Sequence, residues 1–274
     1  EPRLRGRVAG GVRDRDRLGV SPREGLFMST QLETPSPTAS AAAASIAKVD
    51  VVASAERYRA QNEFLIIEHF LDPSVVAAMV AEADALRGRI NRNYVPGQKK
   101  GGSVSSFALA EAAPVTVGLY QSPELIGLLG RIVGENLLVC PETDPHRCAL
   151  YYYTEKGDHI GYHFDTSFYK GKRYTVLIGL IERSSSRLVC QLYKDDPSRE
   201  TEELRVATNP GMLVVFNGDK LWHCVTPLGE NEERVVLTFE YVTDQRMGRL
   251  HRLVSDVKDA VAYFGWRSLF RRRQ

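Results

Sequence analysis

Residues 157–165 read GDHIGYHFD. Its closing His163-Phe164-Asp165 sets an imidazole and a carboxylate two positions apart. On an extended chain residues i and i+2 face the same side, so both groups can meet one metal ion. That geometry requires a strand, and a strand requires partners. A His-x-Asp triplet also arises by chance, so the flanking sequence has to supply the remaining signal.

Between Cys148 and Val242 the chain is a series of short runs rich in Tyr, Val, Leu, Ile and Phe, broken by Gly, Pro, Asn and Asp. Strands are predicted at ALYYYTE (149–155), RYTVLIGLIE (173–182), RLVCQLYK (187–194), GMLVVFN (211–217) and RVVLTFEYV (234–242). Their spacing and turn chemistry suit a sandwich or barrel. Upstream, Phe64 to Ile67 forms an apolar run that predicts a first strand. Two helices follow from cap signals: Asp72 before Pro73, with Val75, Met79, Ala83 and Leu86 on one face, and Ser122 before Pro123, with Leu125, Leu128, Leu129 and Ile132. From Met247 onward, Leu250, Val254, Val257, Val261 and Phe264 recur at helical intervals, predicting a C-terminal helix that covers the sheet.

The ends read differently. Residues 1–47 lack apolar periodicity and predict a disordered segment, with order starting at Lys48 in a single domain spanning 48–274. Met28 opens MSTQLETPSPTASAAAAS like a natural start, so residues 1–27 are read as an extension ahead of the native chain. With 43% hydrophobic and 26% charged residues over 274 positions, the chain as a whole is neither disordered nor fibrous. The formal net charge is only +2. Much of the basic character lies in the first 27 residues and in the Arg271–Arg273 run, which argues against a nucleic-acid partner. Cys140, Cys148, Cys190 and Cys224 form no C-x-x-C pair, so reduced thiols in a cytoplasmic protein are expected. No stretch has the roughly 20 apolar residues of a membrane span, and no membrane partner is expected. The oligomeric state has no signature.

Two further residues convert the triplet into a site. His223 lies in LWHCVTP (221–227) and can complete a set of two imidazoles and one carboxylate. Such a facial triad leaves positions open on Fe(II), where a structural zinc site would saturate its ion. Arg234 opens the run RVVLTFEYV on a sheet, and a guanidinium fork matches a carboxylate in two-point geometry. A surface Arg answering Glu232 or Glu233 is the bland alternative.

The order G-D-x-I-G-Y-H-x-D, then H-x-V-x-P, then Arg resembles the Fe(II)/2-oxoglutarate-dependent oxygenases. The resemblance covers about residues 140–243. It implies an α+β, mainly β fold with a double-stranded β-helix core of the jelly-roll, cupin-like kind, buttressed by helices. It implies iron held by His163, Asp165 and His223, Arg234 on the far carboxylate of 2-oxoglutarate, and O2 as the oxidant. Gly157 and Gly161 would shape the turn before the metal strand. Many relatives place Tyr nine residues before the first ligand, where Thr154 stands here; Thr154 and Tyr152, which share parity, are the expected hydroxyl partners of 2-oxoglutarate.

The tract from His146 to Cys190 is similar to the radical halogenases of free amino acids and their hydroxylase relatives, which act on cationic substrates such as lysine. Halogenases put Gly where Asp165 stands, so the resemblance implies hydroxylation of a small molecule, a free amino acid. Glu142, His146, His159 and Thr166 are the expected substrate contacts, with Ser167, Tyr169 and Asp144 nearby. Trp222 is read as core packing beside a ligand. A peptidyl hydroxylase would share every metal residue, a nucleic-acid dealkylase would need a basic aromatic groove, and a cupin-like binding protein would need no turnover.

Overall fold

A computed structural model of the chain describes residues 35–165, 167 and 169–246. The C-terminal helix expected from Met247, the segment before residue 35, and Thr166 lie outside the described residues. Six α-helices lie in the first half of the chain, interleaved with its first three strands: α1 (Pro37–Ala47), α2 (Val51–Ala60), α3 (Pro73–Ala85), α4 (Ser106–Ala112), α5 (Pro114–Gln121) and α6 (Pro123–Val133). Twelve strands complete the described part: β1 (Phe64–Ile67), β2 (Asn91–Val95), β3 (Lys99–Val104), β4 (Leu138–Val139), β5 (Cys148–Tyr153), β6 (His159–His163), β7 (Arg173–Arg183), β8 (Leu188–Leu192), β9 (Glu202–Val206), β10 (Leu213–Asn217), β11 (Trp222–Val225) and β12 (Glu233–Val242).

The helices begin where local chemistry stops the backbone from continuing unsatisfied. Asp72 accepts from the Ser74 amide at 2.8 Å to start α3, and Ser122 accepts from the Leu125 amide at 3.1 Å to start α6. Pro follows each cap, where its missing N–H costs nothing. The same pair, Ser36 then Pro37, starts α1, with Ser36 accepting from Ala39 at 3.1 Å. Residues 37–47 are therefore helical, which corrects the expectation of disorder through residue 47. PTASAAAASIA combines a cap with the strongest helix former, and its Ala42 and Ile46 are buried against the other helices.

The strands are hydrogen-bonded in the order β1, β10, β7, β12, β5, β3, β6, β11, β8, β9, with β2 added to β3 and β4 to β12. Every named strand pairing is antiparallel. The sheet curls over, and alternate residues of β1, β5, β7 and β10 serve two different cores. Leu65, Leu150, Tyr152, Val176, Ile178, Leu213, Val215, Leu237 and Phe239 pack outward on α3, α5 and α6 through Val75, Met79, Leu119 and Leu129. Phe64, Tyr153, Val214 and Phe216 pack inward on Leu188, Cys190, Leu192 and Val225 of the opposing strands. This is the double-stranded β-helix expected, with a helical layer on one outer face; emptying an outer-core site such as Leu129→Ala removes about 2–5 kcal/mol.

One glycine brings the two layers close enough to matter for the interior. A Cβ on Gly179 of β7 would lie 2.2 Å from the carbonyl oxygens of both Thr208 and Asn209. Only glycine permits that approach, and it seats Thr208 beside β12.

Candidate metal centre

His163 ends β6 and His223 lies on β11, and the two stand directly opposite each other in the antiparallel ladder. Two residues of β11 then span three of β6, since Val225 pairs with Ile160. This bulge puts both Ile160 and His163 on the inner face. Asp165 follows just beyond the end of β6.

Nε2 of His163 lies 3.3 Å from Oδ1 of Asp165, and Nε2 of His223 lies 3.8 Å from Oδ2. One donor atom from each residue falls within 4.8 Å of the others. Adjacent ligands on an ion with bonds of about 2.1 Å sit ~3 Å apart; the two distances end on different oxygens of Asp165, and one donor atom from each residue is close enough to the others for the three residues to meet a single ion. Each imidazole is oriented from behind. Nδ1 of His163 donates to the Gly161 carbonyl at 2.9 Å, and Nδ1 of His223 donates to that of Leu221 at 3.0 Å. A carbonyl can only accept, so both rings carry their proton on Nδ1 and present the Nε2 lone pair.

The electrostatics agree. Burial lowers the His223 pKa, keeping a neutral ligand. Burial works to raise the Asp165 carboxyl, but His223, His163 and Arg173 outweigh it and hold Asp165 well below the usual carboxylate range. Phe164 and Trp222, which alternate with the ligands, pack against each other on the other side with ring centroids 4.7 Å apart. Trp222 also stacks on Tyr162, and Lys194 sits 4.1 Å over its ring. The packing reading of Trp222 is the one the contacts favour.

Arg234 is 1% exposed on the inner face of β12. Its Nε and Nη2 donate to Thr208 Oγ1 at 3.1 and 2.9 Å, and Nε lies 3.3 Å from Glu182. It therefore answers neither Glu232 nor Glu233. Nη1 is buried without a hydrogen-bond partner among the described residues. A buried guanidinium N–H left open costs about 1–3 kcal/mol, and a carboxylate brought by a small molecule would satisfy it. The guanidinium lies 5.1 Å from the Tyr153 ring centroid.

Tyr152 and Thr154 do not face this interior. Tyr152 donates to the Ala83 carbonyl at 2.8 Å under α3, and Thr154 accepts from Arg92 at 3.2 Å in the turn. The parity is the other one: Tyr151 and Tyr153 point inward, and burial pushes the Tyr153 phenol up to about 12, so it stays a donor. Tyr153 pairs with Arg234 across the ladder and is the residue that sequence reasoning missed. Its facing follows from that of Arg234 once the register of β5 on β12 is known.

Of the expected substrate contacts, Glu142 is 88% exposed on its side chain and lies 4.0 Å from Arg147, so it points to solvent. His159 pairs with Lys100 on the face opposite Ile160 and bonds the Gly157 carbonyl at 2.8 Å, away from the metal ligands. His146 is half-buried with Nδ1 3.2 Å from the Tyr151 hydroxyl, which keeps it beside the interior. Tyr169 donates to Asp144 at 2.7 Å, and the Ser167 amide donates to Asp219 at 2.9 Å. Lys99, not foreseen, is buried on β3 with Nζ 5.2 Å from the Tyr151 ring centroid.

Over residues 46–170 the chain matches the family model described as HalD, Halogenase D. That match includes His163 and Asp165 and ends before His223 and Arg234. No curated protein matches the chain. Among solved structures it is similar to the non-heme alpha ketoglutarate dependent epimerase SnoN from nogalamycin biosynthesis, at 16% identity over 70% of this chain and 80% of that one, TM-score 0.59. It is also similar to the carbocyclase SnoK from nogalamycin biosynthesis, at 14% identity over 76% and 92%, TM-score 0.60. A third is the prolyl-4-hydroxylase of Pseudomonas putida, at 18% identity over 72% and 100%, TM-score 0.52. The fold is thus that of the Fe(II)/2-oxoglutarate-dependent oxygenases. Fe(II) and 2-oxoglutarate, the cofactor pair of that fold, fit the residues present: three donors with a facial arrangement, and a buried guanidinium with an open N–H. No helix among the described residues is long and apolar enough to cross a membrane.

Proposed function

We propose that this chain is an Fe(II)/2-oxoglutarate-dependent hydroxylase of a free amino acid, lysine-like or otherwise cationic. The observation that carries the reading is the convergence of His163, Asp165 and His223, both imidazoles oriented through Nδ1, within one curled sheet that also buries Arg234. His163, Asp165 and His223 would hold the iron, and Arg234 with Tyr153 would hold the far carboxylate of 2-oxoglutarate. Bound there, iron and the keto acid supply the oxidising chemistry, consuming O2 and releasing succinate and CO2 while oxygen enters a C–H bond.

The protein's own contribution is placement and exclusion of water. Phe216, which packs in one inner apolar cluster with Leu188, Leu192 and Val225, lies against the His223 ring with centroids 5.0 Å apart. Asp165 distinguishes hydroxylation from halide transfer, because a carboxylate occupies the position a halide would need. The amino-acid substrate is supported by the likeness to the halogenase family over residues 46–170, and by interior polar groups, Lys99 and His146, that an amino acid's charged ends can meet. Thr166 stays a candidate contact.

The test is succinate release and product mass across a panel of free amino acids, with proline-containing peptides as the comparison set. The proposal expects one added oxygen on a free amino acid, lost in His163→Ala. Turnover on peptides alone would reassign the substrate class, and succinate never exceeding the no-substrate background across both sets would leave a cupin-like binding protein. With chloride present, hydroxylation by Asp165→Gly at the wild-type rate would contradict Asp165 as a ligand.

A further inference from the structure

Asp165 is the only one of the three candidate ligands outside a strand. No ladder holds it, so something else has to. Backbone proximity does part of this: a Cβ on Gly218 would lie 2.9 Å from the Asp165 Cβ, so the ligand-bearing loop rests directly on the β10–β11 turn. That turn also supplies Asp219, which accepts from the Ser167 amide at 2.9 Å. These contacts place the loop but leave the carboxylate free to rotate.

The rotation is addressed by Thr175. Its hydroxyl donates to Oδ2 of Asp165 at 2.8 Å from the inner face of β7, where it is 1% exposed. Across the ladder Thr175 faces Glu240, whose Oε2 lies 3.1 Å from the same hydroxyl and accepts from Nε of Arg173 at 2.8 Å. In the array Arg173, Glu240, Thr175, Asp165 the two central members are buried and the two ends are half-buried, and each member restricts the rotamer of the next.

We propose that Thr175 is a positioning residue that engages Oδ2 of Asp165, so that the carboxylate ligates through Oδ1 alone. The inference rests on the reading of the triad as an iron site. Its importance follows from counting positions. A carboxylate can bind a metal through one oxygen or both. Two imidazoles and a one-point carboxylate leave three of six positions open, enough for a chelating keto acid and O2. A two-point carboxylate leaves two, which the keto acid alone would fill. Thr175 therefore guards the position that dioxygen needs.

The experiment uses Mn(II), which occupies such sites without oxygen chemistry, and counts metal-bound waters from magnetic-resonance line broadening in isotopically labelled water. Thr175→Val is expected to hold one water fewer than wild type, because Oδ2 takes its place, and Thr175→Ser to restore the wild-type count. If Thr175→Val does not fold, Thr175→Ala, which cannot overpack the site, carries the same expectation. Under 2-oxoglutarate turnover, the KM for O2 should rise about tenfold or more in the variant lacking the hydroxyl, with a smaller change in the KM for 2-oxoglutarate. A wild-type water count in Thr175→Val or Thr175→Ala overturns the proposal and leaves the iron reading standing. Equal Mn(II) binding by wild type and His163→Ala overturns the iron reading itself, and this proposal with it.

Discussion

Removing the Asp158 carboxylate tests whether the metal strand is launched by a clamped turn. Asp158 is fully buried between β5 and β6 and accepts from four donors: Nη1 and Nη2 of Arg92 at 2.9 and 2.7 Å, and the amides of Thr154 and Glu155 at 2.9 and 3.1 Å. Its backbone carbonyl also receives the Leu228 amide at 2.9 Å. In Asp158→Ala, two amides lose their acceptor, and the guanidinium is left with Thr154 and Glu155. Breaking a fully buried charge pair costs about 3–5 kcal/mol, but the Arg92 side chain is 31% exposed, so water recovers part of its share. The amides add about 1 kcal/mol each where water cannot reach. The net loss worked from these contacts is about 3–4 kcal/mol. Urea denaturation of the metal-free protein, followed by far-ultraviolet circular dichroism, measures it. Asp158→Asn, which keeps one acceptor oxygen, should lose about half as much. A loss under about 1 kcal/mol in Asp158→Ala would refute the clamp, because the turn would then hold itself.

Arg234→Lys keeps the charge but not the fork, and should weaken anaerobic 2-oxoglutarate binding about tenfold, ~1.4 kcal/mol; unchanged binding by calorimetry would remove Arg234 as the anchor. Glu240 is pushed by burial from 4.5 to about 7 against the pull of Arg173. A carboxyl raised in the folded state stabilises below its unfolded pKa and loses that contribution as pH climbs through the folded one. On the order of 3 kcal/mol should therefore disappear between pH 4.5 and 7 in the metal-free protein and be absent from Glu240→Gln; parallel pH profiles of denaturation would contradict this. Gly218→Ala crowds Asp165 and should lower Mn(II) affinity about tenfold with the melting transition still cooperative, which titration and calorimetry together check.

The legibility of the chain followed what each signal physically reports. Caps at Asp72 and Ser122 located two helices because a side-chain oxygen and a Pro are local requirements. The same pair at Ser36 and Pro37 lies in a Pro, Ser and Ala-rich stretch without apolar periodicity, where composition predicts disorder instead. Strands β5, β7, β8, β10 and β12 were visible through apolar runs. β3, KKGGSV, was not, since Lys and Gly carry no strand signal and what holds it is pairing with β2, β5 and β6. The triad and Arg234 were readable from spacing. Facing was less accessible: Tyr152 against Tyr153 is a one-residue parity that only pairing with Arg234 decides. Thr175 and Glu240 were hidden for the same reason, although Glu240 shares parity with Arg234 on an otherwise apolar strand, an anomaly that could have marked it.

If His163, Asp165 and His223 hold iron in reach of a 2-oxoglutarate molecule bound at Arg234, adding Fe(II) and then 2-oxoglutarate to the protein without oxygen changes its visible spectrum. Chelation of the keto acid to Fe(II) gives a charge-transfer absorption that neither component has alone. The account predicts this absorption in the wild type, saturating at one equivalent of each, and its loss in His163→Ala and His223→Ala. A wild type that develops no absorption, or a His163→Ala variant that develops it equally, would contradict the account.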